Sequence, residues 1–226
     1  MCGLCGELRL DHRAADLTGV QRMNRQLERR GPDHDGSYSD GPLAFGHRRL
    51  AIIDLSEHAN QPMVDQELGL VLVFNGTIYN YPQLREELRS KGYHFFSHGD
   101  TEVILKAYHA WGEACVERLH GMFAFALWDQ RGEALFLARD RLGIKPLYYH
   151  DAGDALYFAS EIKALRAAEL MSPAVNDQAL FDYLVFNRTD IYDETFLHGV
   201  KRIPKGCCAV YDHAGLHIRR WWSPDD

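Results

Sequence analysis

The chain has 226 residues, 46% hydrophobic and 25% charged, the make-up of a soluble globular protein with a full core and room for one large domain or two small ones. A formal net charge of −7, with no basic run, speaks against nucleic acid or an anionic membrane as the main partner. No apolar stretch approaches the ~18 residues a membrane span needs, and no basic-then-apolar leader opens the chain, so the expected setting is cytoplasmic, with no membrane partner.

Residues 6–10, GELRL, alternate polar and apolar side chains and predict a half-buried strand. Leu17, Val20, Met23 and Leu27 recur at helical spacing and predict a helix over 16–29. RGPDHDG, 30–36, carries Gly-Pro and Asp-Gly turn signals and reads as loop. LAFGHRRLAIID, 43–54, reads as one or two strands, and LGLVLVFN, 68–75, as a buried strand ending at Asn75. An amphipathic helix is expected over 81–91, with Leu84 and Leu88 on its apolar face. A second helix carries VILKAYHAW, and Asp100 is a candidate cap for it. FAFALWD (123–129) and ALFLARD (134–140) predict a hairpin. Further strands are expected at 146–150, 155–159, 207–212 and 216–221, and short helices at 161–167 and 177–185. Strands in antiparallel-looking runs, with helices between the groups, point to stacked layers of sheet and helix rather than a doubly wound parallel fold. The closing RRWWSPDD turns polar, so a domain over 1–218 and the start of a linker over 219–226 are expected.

Five cysteines, an odd number, do not suggest a disulfide framework in a chain of this length. Cys2 and Cys5 stand three apart directly behind Met1, which allows a redox pair, half a zinc site or one terminal nucleophile. A redox CxxC normally opens a helix, whereas the pattern here is strand-like and sends residues three apart to opposite faces. Zinc needs a second ligand pair, yet Cys207 and Cys208 are adjacent and Cys115 stands alone. For Cys5, Cys115, Cys207 and Cys208 the plain reading is a small buried hydrophobe. Cys2 differs by position. Removing Met1 leaves it with a free α-amine of pKa ~7.7–8.0 beside a thiol of ~8.5, a nucleophile and a base in one residue.

A thiol that attacks an amide needs oxyanion donors, a cation for a substrate carboxylate and an anion for a substrate ammonium. Asn75 and the Gly76 N–H are candidates for the first, or a plain Asn-Gly hairpin turn. Arg49, inside an apolar segment, is a candidate for the second, or an ion-pair partner of Asp54. Asp100 is a candidate for the third, or the helix cap already named. Asn75-Gly76-Thr77 and Asn187-Arg188-Thr189 match the glycosylation triplet, but without export both stay free.

Set in order, the motifs are Cys2-Gly3, Arg30-Gly31-Pro32-Asp33, Arg49-Leu50-Ala51-Ile52-Ile53-Asp54, Gln61-Pro62, Asn75-Gly76-Thr77-Ile78-Tyr79-Asn80 and Asp100-Thr101-Glu102-Val103-Ile104. Gly121-Met122-Phe123-Ala124-Phe125-Ala126, Arg139-Asp140-Arg141-Leu142-Gly143-Ile144-Lys145-Pro146-Leu147-Tyr148 and Ala159-Ser160-Glu161-Ile162-Lys163-Ala164-Leu165 follow. Together they resemble the class II glutamine amidotransferase domain of asparagine synthetases, over nearly the whole chain.

The resemblance implies an α+β fold, the four-layer αββα sandwich of N-terminal nucleophile hydrolases, with two mostly antiparallel sheets between helical layers. It implies that Cys2 attacks the side-chain amide of L-glutamine, that Asn75 and Gly76 hold the oxyanion, and that Arg49 takes the α-carboxylate and Asp100 the α-ammonium. Backbone groups near Ile52 and Ile53 line the same pocket. No cofactor or metal serves this glutaminase half. ATP and magnesium belong to a synthetase half whose Ser-Gly-Gly-x-Asp-Ser-type loop is absent here, so the expected partner for the ammonia is a synthetase domain or subunit. A homodimer is a further expectation. The family usually carries Glu where Thr77 stands, which leaves Asp100 alone with the ammonium. It also usually carries His where Arg29 stands, a change for which no physical account offers itself. Two other readings stay open: a degenerate domain kept for docking or regulation, and an amidase that uses another amide donor. The motifs around Gly121, Arg139 and Ala159 receive no catalytic role and read as packing or as contact surface for a synthetase domain.

Overall fold

The computed structural model describes residues 1–11, 13–168, 174–189 and 192–225. The first strand, β1 (Gly3–Arg9), sends alternate side chains to different layers: Leu4 and Leu8 enter one apolar cluster and Cys5 another. The first half of the chain continues through α1 (Leu17–Gln26), β2 (His34–Asp40), β3 (Leu43–Arg49), β4 (Met63–Asp65), β5 (Leu70–Ile78), α2 (Tyr81–Ser90) and α3 (Thr101–Trp111). The second half holds α4 (Cys115–Arg118), β6 (Gly121–Asp129), β7 (Ala134–Arg139), β8 (Tyr148–Asp151), β9 (Ala155–Ala159), α5 (Ile162–Ala167), α6 (Asp177–Phe186), β10 (Lys201–Arg202), β11 (Cys207–Asp212) and β12 (Gly215–Arg220).

Among the described residues the strands form two six-stranded sheets, ordered β10-β8-β9-β1-β3-β2 and β12-β11-β7-β6-β5-β4, and each pairing is antiparallel. One apolar cluster lies between the sheets and includes Leu4, Phe45, Val71, Val73, Leu137, Phe158 and Tyr211. A second packs α1 and α5 on the outer face of the first sheet through Val20, Met23, Leu27, Ala164 and Leu165. A third packs α2, α3 and α4 on the outer face of the second sheet through Leu84, Leu88, Ile104, Val116 and Phe125. This is the expected αββα stack. It explains why LVLVF reads as an unbroken apolar run: Leu70, Leu72 and Phe74 face the helices while Val71 and Val73 face the other sheet.

Several boundaries differ from the sequence reading. The segment 30–36 is only partly loop, because β2 starts at His34 as an edge strand. Its polar run HDGSYSD hides it, since one neighbour and an exposed face ask for little apolar alternation. The segment 43–54 holds one strand, which stops at Arg49. β5 does not end at Asn75 but runs three residues further, pairing Gly76 with Phe123, Thr77 with Met122 and Ile78 with Gly121. Asn75-Gly76 is therefore not a hairpin turn. Residues 219 and 220, which the linker reading includes, close β12, and the Trp221 ring stacks on Phe123 at 6.1 Å. Residue 226 lies outside the described residues.

Candidate active site

The chain start is anchored from two sides. The Leu4 N–H donates to Ser160 Oγ (3.1 Å), and the Ser160 N–H donates to the Leu4 carbonyl (2.9 Å). The Arg30 Nε donates to the Cys2 carbonyl (2.8 Å), and Glu161 holds the same guanidinium at 2.9 Å. The motifs around Arg30 and Ala159 thus fix the first strand, and with it the position of the Cys2 thiol.

Cys2 Sγ faces Leu50: it accepts the Leu50 N–H at 3.3 Å and donates to the Leu50 carbonyl at 3.6 Å. Burial pushes this thiol up from its ordinary value, while the Leu50 N–H, the chain-terminal charge and Arg49 pull it down and Asp100 opposes them. Cys5 points the other way, into the α1 layer, as the strand period requires, and burial raises its thiol far above the usual range. The two sulfurs make no disulfide.

All eight residues singled out for the site, Cys2, Arg49, Ile52, Ile53, Asn75, Gly76, Thr77 and Asp100, line one cavity of about 220 Å³. Met1 sits in its wall and is 58% exposed. Asn75 is 1% exposed, yet its Nδ2 has no hydrogen-bond partner. A buried amide donor left open is costly unless something completes it. Gly76 is required by closeness: a Cβ there would lie 2.3 Å from the Met122 carbonyl oxygen and 2.7 Å from the Phe123 Cα.

Arg49 closes β3 and is buried. Its guanidinium donates to the Ser56 carbonyl (3.0 Å), Asn60 Oδ1 (2.7 Å) and the Asp54 carbonyl, leaving two of its five N–H donors unengaged. The ion pair with Asp54 is absent: that carboxylate instead accepts the N–H of Ser56 (2.9 Å) and His98 (2.8 Å), which hold it down at about 2 despite burial. Asp33 supports the same rim by accepting the Ala51 N–H at 2.8 Å. Asp100 occupies the N-cap position of α3 but makes no side-chain cap bond; it accepts the Ile78 N–H at 2.9 Å, across to β5. Burial pushes its carboxyl up to about 6 against that bond and the Arg85 charge.

Three contributors carry no role in the sequence reading. Gln61 Oε1 accepts the Phe74 N–H at 2.6 Å, and His47 Nε2 meets the Phe74 carbonyl at 3.0 Å, so both grip the residue before Asn75. Burial drops the His47 imidazole to about 3, so it is the neutral ring that donates to that carbonyl. Lys145 lines the cavity, although its motif reads as packing. The quoted Gln61-Pro62 and Arg139–Tyr148 stretches were the available signals; neither shows which way its side chains point. Among the described residues no group of three or more His, Cys, Asp and Glu side chains converges on a metal site, and no helix is long and apolar enough to cross a membrane.

A four-layer sandwich whose chain start delivers a thiol into a small pocket with two buried cations, Arg49 and Lys145, one buried carboxylate and an open amide donor has the layered α+β architecture of an amidotransferase domain. The chain belongs to the glutamine amidotransferase domain family, whose model matches residues 1–222. It is 36% identical over 226 residues to asparagine synthetase [glutamine-hydrolyzing] 3 of Bacillus subtilis, covering 99% of this chain and 37% of that protein. It is 40% identical over 245 residues to a putative asparagine synthetase [glutamine-hydrolyzing] of Mycobacterium bovis, again 99% of this chain and 37% of that one. The chain thus spans little more than a third of these relatives. The glutamine phosphoribosylpyrophosphate amidotransferase of B. subtilis, solved with ADP and GMP, superposes with a TM-score of 0.71 at 21% identity, over 98% of this chain and 49% of that one. At that identity the likeness concerns the fold alone.

Proposed function

We propose that the chain hydrolyses L-glutamine to glutamate and ammonia with Cys2 as its terminal nucleophile. The ammonia then feeds an ATP-dependent, asparagine-synthetase-type amidation on a synthetase domain or subunit, in the cytoplasm. The observation that carries this reading is one small cavity holding the Cys2 thiol, the open Asn75 amide, buried Arg49 and buried Asp100. Those last two charges complement the carboxylate and ammonium of an α-amino acid, and the thiol and amide suit an amide at its far end.

The buried thiol needs a base, since burial favours its neutral form. Once Met1 is removed, the α-amine of Cys2 takes the thiol proton, directly or through water. The sulfur attacks the amide carbon, and the electron pair moves to an oxygen held by Asn75 Nδ2 and the Gly76 N–H, donors worth several kcal/mol in such sites. Collapse breaks the C–N bond, and the ammonium form of the terminus returns its proton to the leaving nitrogen, releasing ammonia. Water then attacks the thioester, the amine again taking a proton, and glutamate leaves with the thiol restored. Arg49 holds the α-carboxylate, the backbone around Ile52 and Ile53 lines the pocket, and Asp100 beside Thr77 holds the α-ammonium. Nothing in the described residues fits ATP with magnesium: the chain has no pyrophosphate loop and no converging acidic ligands. That chemistry is assigned to the synthetase partner, and no step here passes through it.

The test combines mass and turnover. Purified protein should lack Met1, release glutamate from glutamine, and lose that activity in Cys2→Ala, while a glutamine-analogue alkylator labels Cys2. Turnover by protein that retains Met1, or by Cys2→Ala, excludes the mechanism.

A further inference from the structure

Lys145 is the unexplained member of the cavity wall. Its loop is held rigidly. The Asp140 carboxylate accepts the N–H of Leu142 (3.1 Å), Ile144 (2.9 Å), Lys145 (2.9 Å) and Phe123 (3.1 Å). The Arg139 guanidinium donates to the carbonyls of Lys145 (2.8 Å) and Gly143 (2.7 Å). The side chain that this loop presents is 5% exposed and enters the cavity beside Cys2. Its Nζ lies 3.3 Å from Met1 Sδ, so it reaches the chain terminus itself. Among the described residues it pairs with no carboxylate. A buried ammonium without a direct ion pair is expensive and calls for a purpose.

The other charges around the terminus are accounted for. Arg30, from the turn after α1, is matched by Glu161 and bonds the Cys2 carbonyl. Arg49, from β3, is engaged by the oxygens of the 54–60 loop. Asp100, at the start of α3, opposes a negative charge on the sulfur. Burial and Arg30 lower the Lys145 ammonium, while Asp140 and the Cys2 thiol support it.

We propose that Lys145 is a positioning residue for the terminal nucleophile, its ammonium keeping the processed α-amine free at neutral pH and favouring the Cys2 thiolate formed when that amine takes the thiol proton. A neighbouring cation stabilises the thiolate and repels a proton from the α-amine, so both effects lower the pH at which Cys2 becomes reactive. Removal of Met1 takes away the side chain that Lys145 touches and leaves the new terminus in its field. The inference rests on Cys2 acting as the terminal nucleophile.

The experiment uses full-length protein whose Met1 removal is verified by mass. The rate at which Cys2 displaces iodide from iodoacetamide is followed against pH, with the alkylated site identified by peptide mass; this reading does not depend on glutamine. Lys145→Met should move the midpoint up by about one pH unit, slowing alkylation about tenfold at a fixed pH below it. Lys145→Arg should restore the wild-type midpoint, and the acid limb of kcat/KM for glutamine should shift in parallel. If Lys145→Met fails to fold, Lys145→Gln replaces it. An unmoved midpoint in a folded neutral variant, or an equal shift in Lys145→Arg, overturns the proposal. Should no variant and no wild-type protein turn over glutamine, the proposed function falls while the alkylation midpoint still decides Lys145.

Discussion

On the proposed function, Asp100 and Thr77 face the substrate ammonium group. Burial raises the Asp100 carboxyl to about 6, so the empty pocket loses its anion as pH falls through that value. KM for glutamine should therefore rise below pH 6, about tenfold per unit, in addition to the fall in kcat as the Cys2 amine is protonated. Asp100→Asn should show a high KM that is flat across the same range, and steady-state kinetics at several pH values checks both. Thr77 lines the cavity with no charge to assist Asp100. A charged hydrogen bond contributes roughly 1.5–3 kcal/mol, so Thr77→Glu should lower KM by about tenfold or more. A wild-type KM below that of Thr77→Glu would refute this. These residues were legible as chemistry because each is a polar type in an apolar or turn setting. Their present partners were not. Arg49 bonds the Asp54 carbonyl rather than its carboxylate, and Asp100 bonds β5 rather than its own helix, because bonds between distant segments leave no local pattern.

Elements bring these groups together through a few tightly bonded corners. The Asp140 carboxylate satisfies four backbone N–H groups and links the start of β6 to the loop carrying Lys145. Asp140→Ala leaves those donors without it and should cost about 3–5 kcal/mol, read as a lower urea midpoint, with a loss of kcat/KM as Lys145 shifts. Element existence was well read from the sequence wherever the period was strong: β9 and β11 fall on the expected residues, and α2, α5 and α6 within one. The misses have a common cause. β2 and β10 are edge strands, β4 has three residues, and α4 has four. Such elements exist because neighbours hold them, and short or exposed segments carry little hydrophobic period of their own. The extension of β5 past Asn75 was missed for a related reason: Gly and Thr are weak strand signals, and only close pairing with β6 makes Gly76 fit.

At the scale of the molecule the site straddles both sheets. Cys2 and Arg49 belong to the β1/β3 side, and Asn75 to Thr77 lie in β5 of the other sheet. Packing between the sheets therefore sets the separation of Cys2 from Asn75 and Gly76. Phe158 is fully buried in that layer and meets Phe45 edge to face at 5.7 Å. Phe158→Ala should cost about 3–5 kcal/mol through lost burial and a residual cavity. Urea unfolding followed by far-UV dichroism and by tryptophan fluorescence should give coincident curves, since both sheets share the layer; separated transitions would contradict that unity.

The sequence by itself determined which faces are buried and singled out the residues that come to line the cavity. Hydrophobic period marks which faces are buried, and a thiol next to the terminus, an Asn-Gly pair and isolated charges in apolar surroundings mark where chemistry is stored. Only the tertiary structure decided which groups meet. The Arg30 and Ser160 anchors on the chain start, the Gln61 and His47 grip on the residue before Asn75, and the approach of Lys145 to the terminus all join segments distant in the chain. Their geometry follows from two twisted sheets pressed together, a long-range packing result that no local pattern encodes.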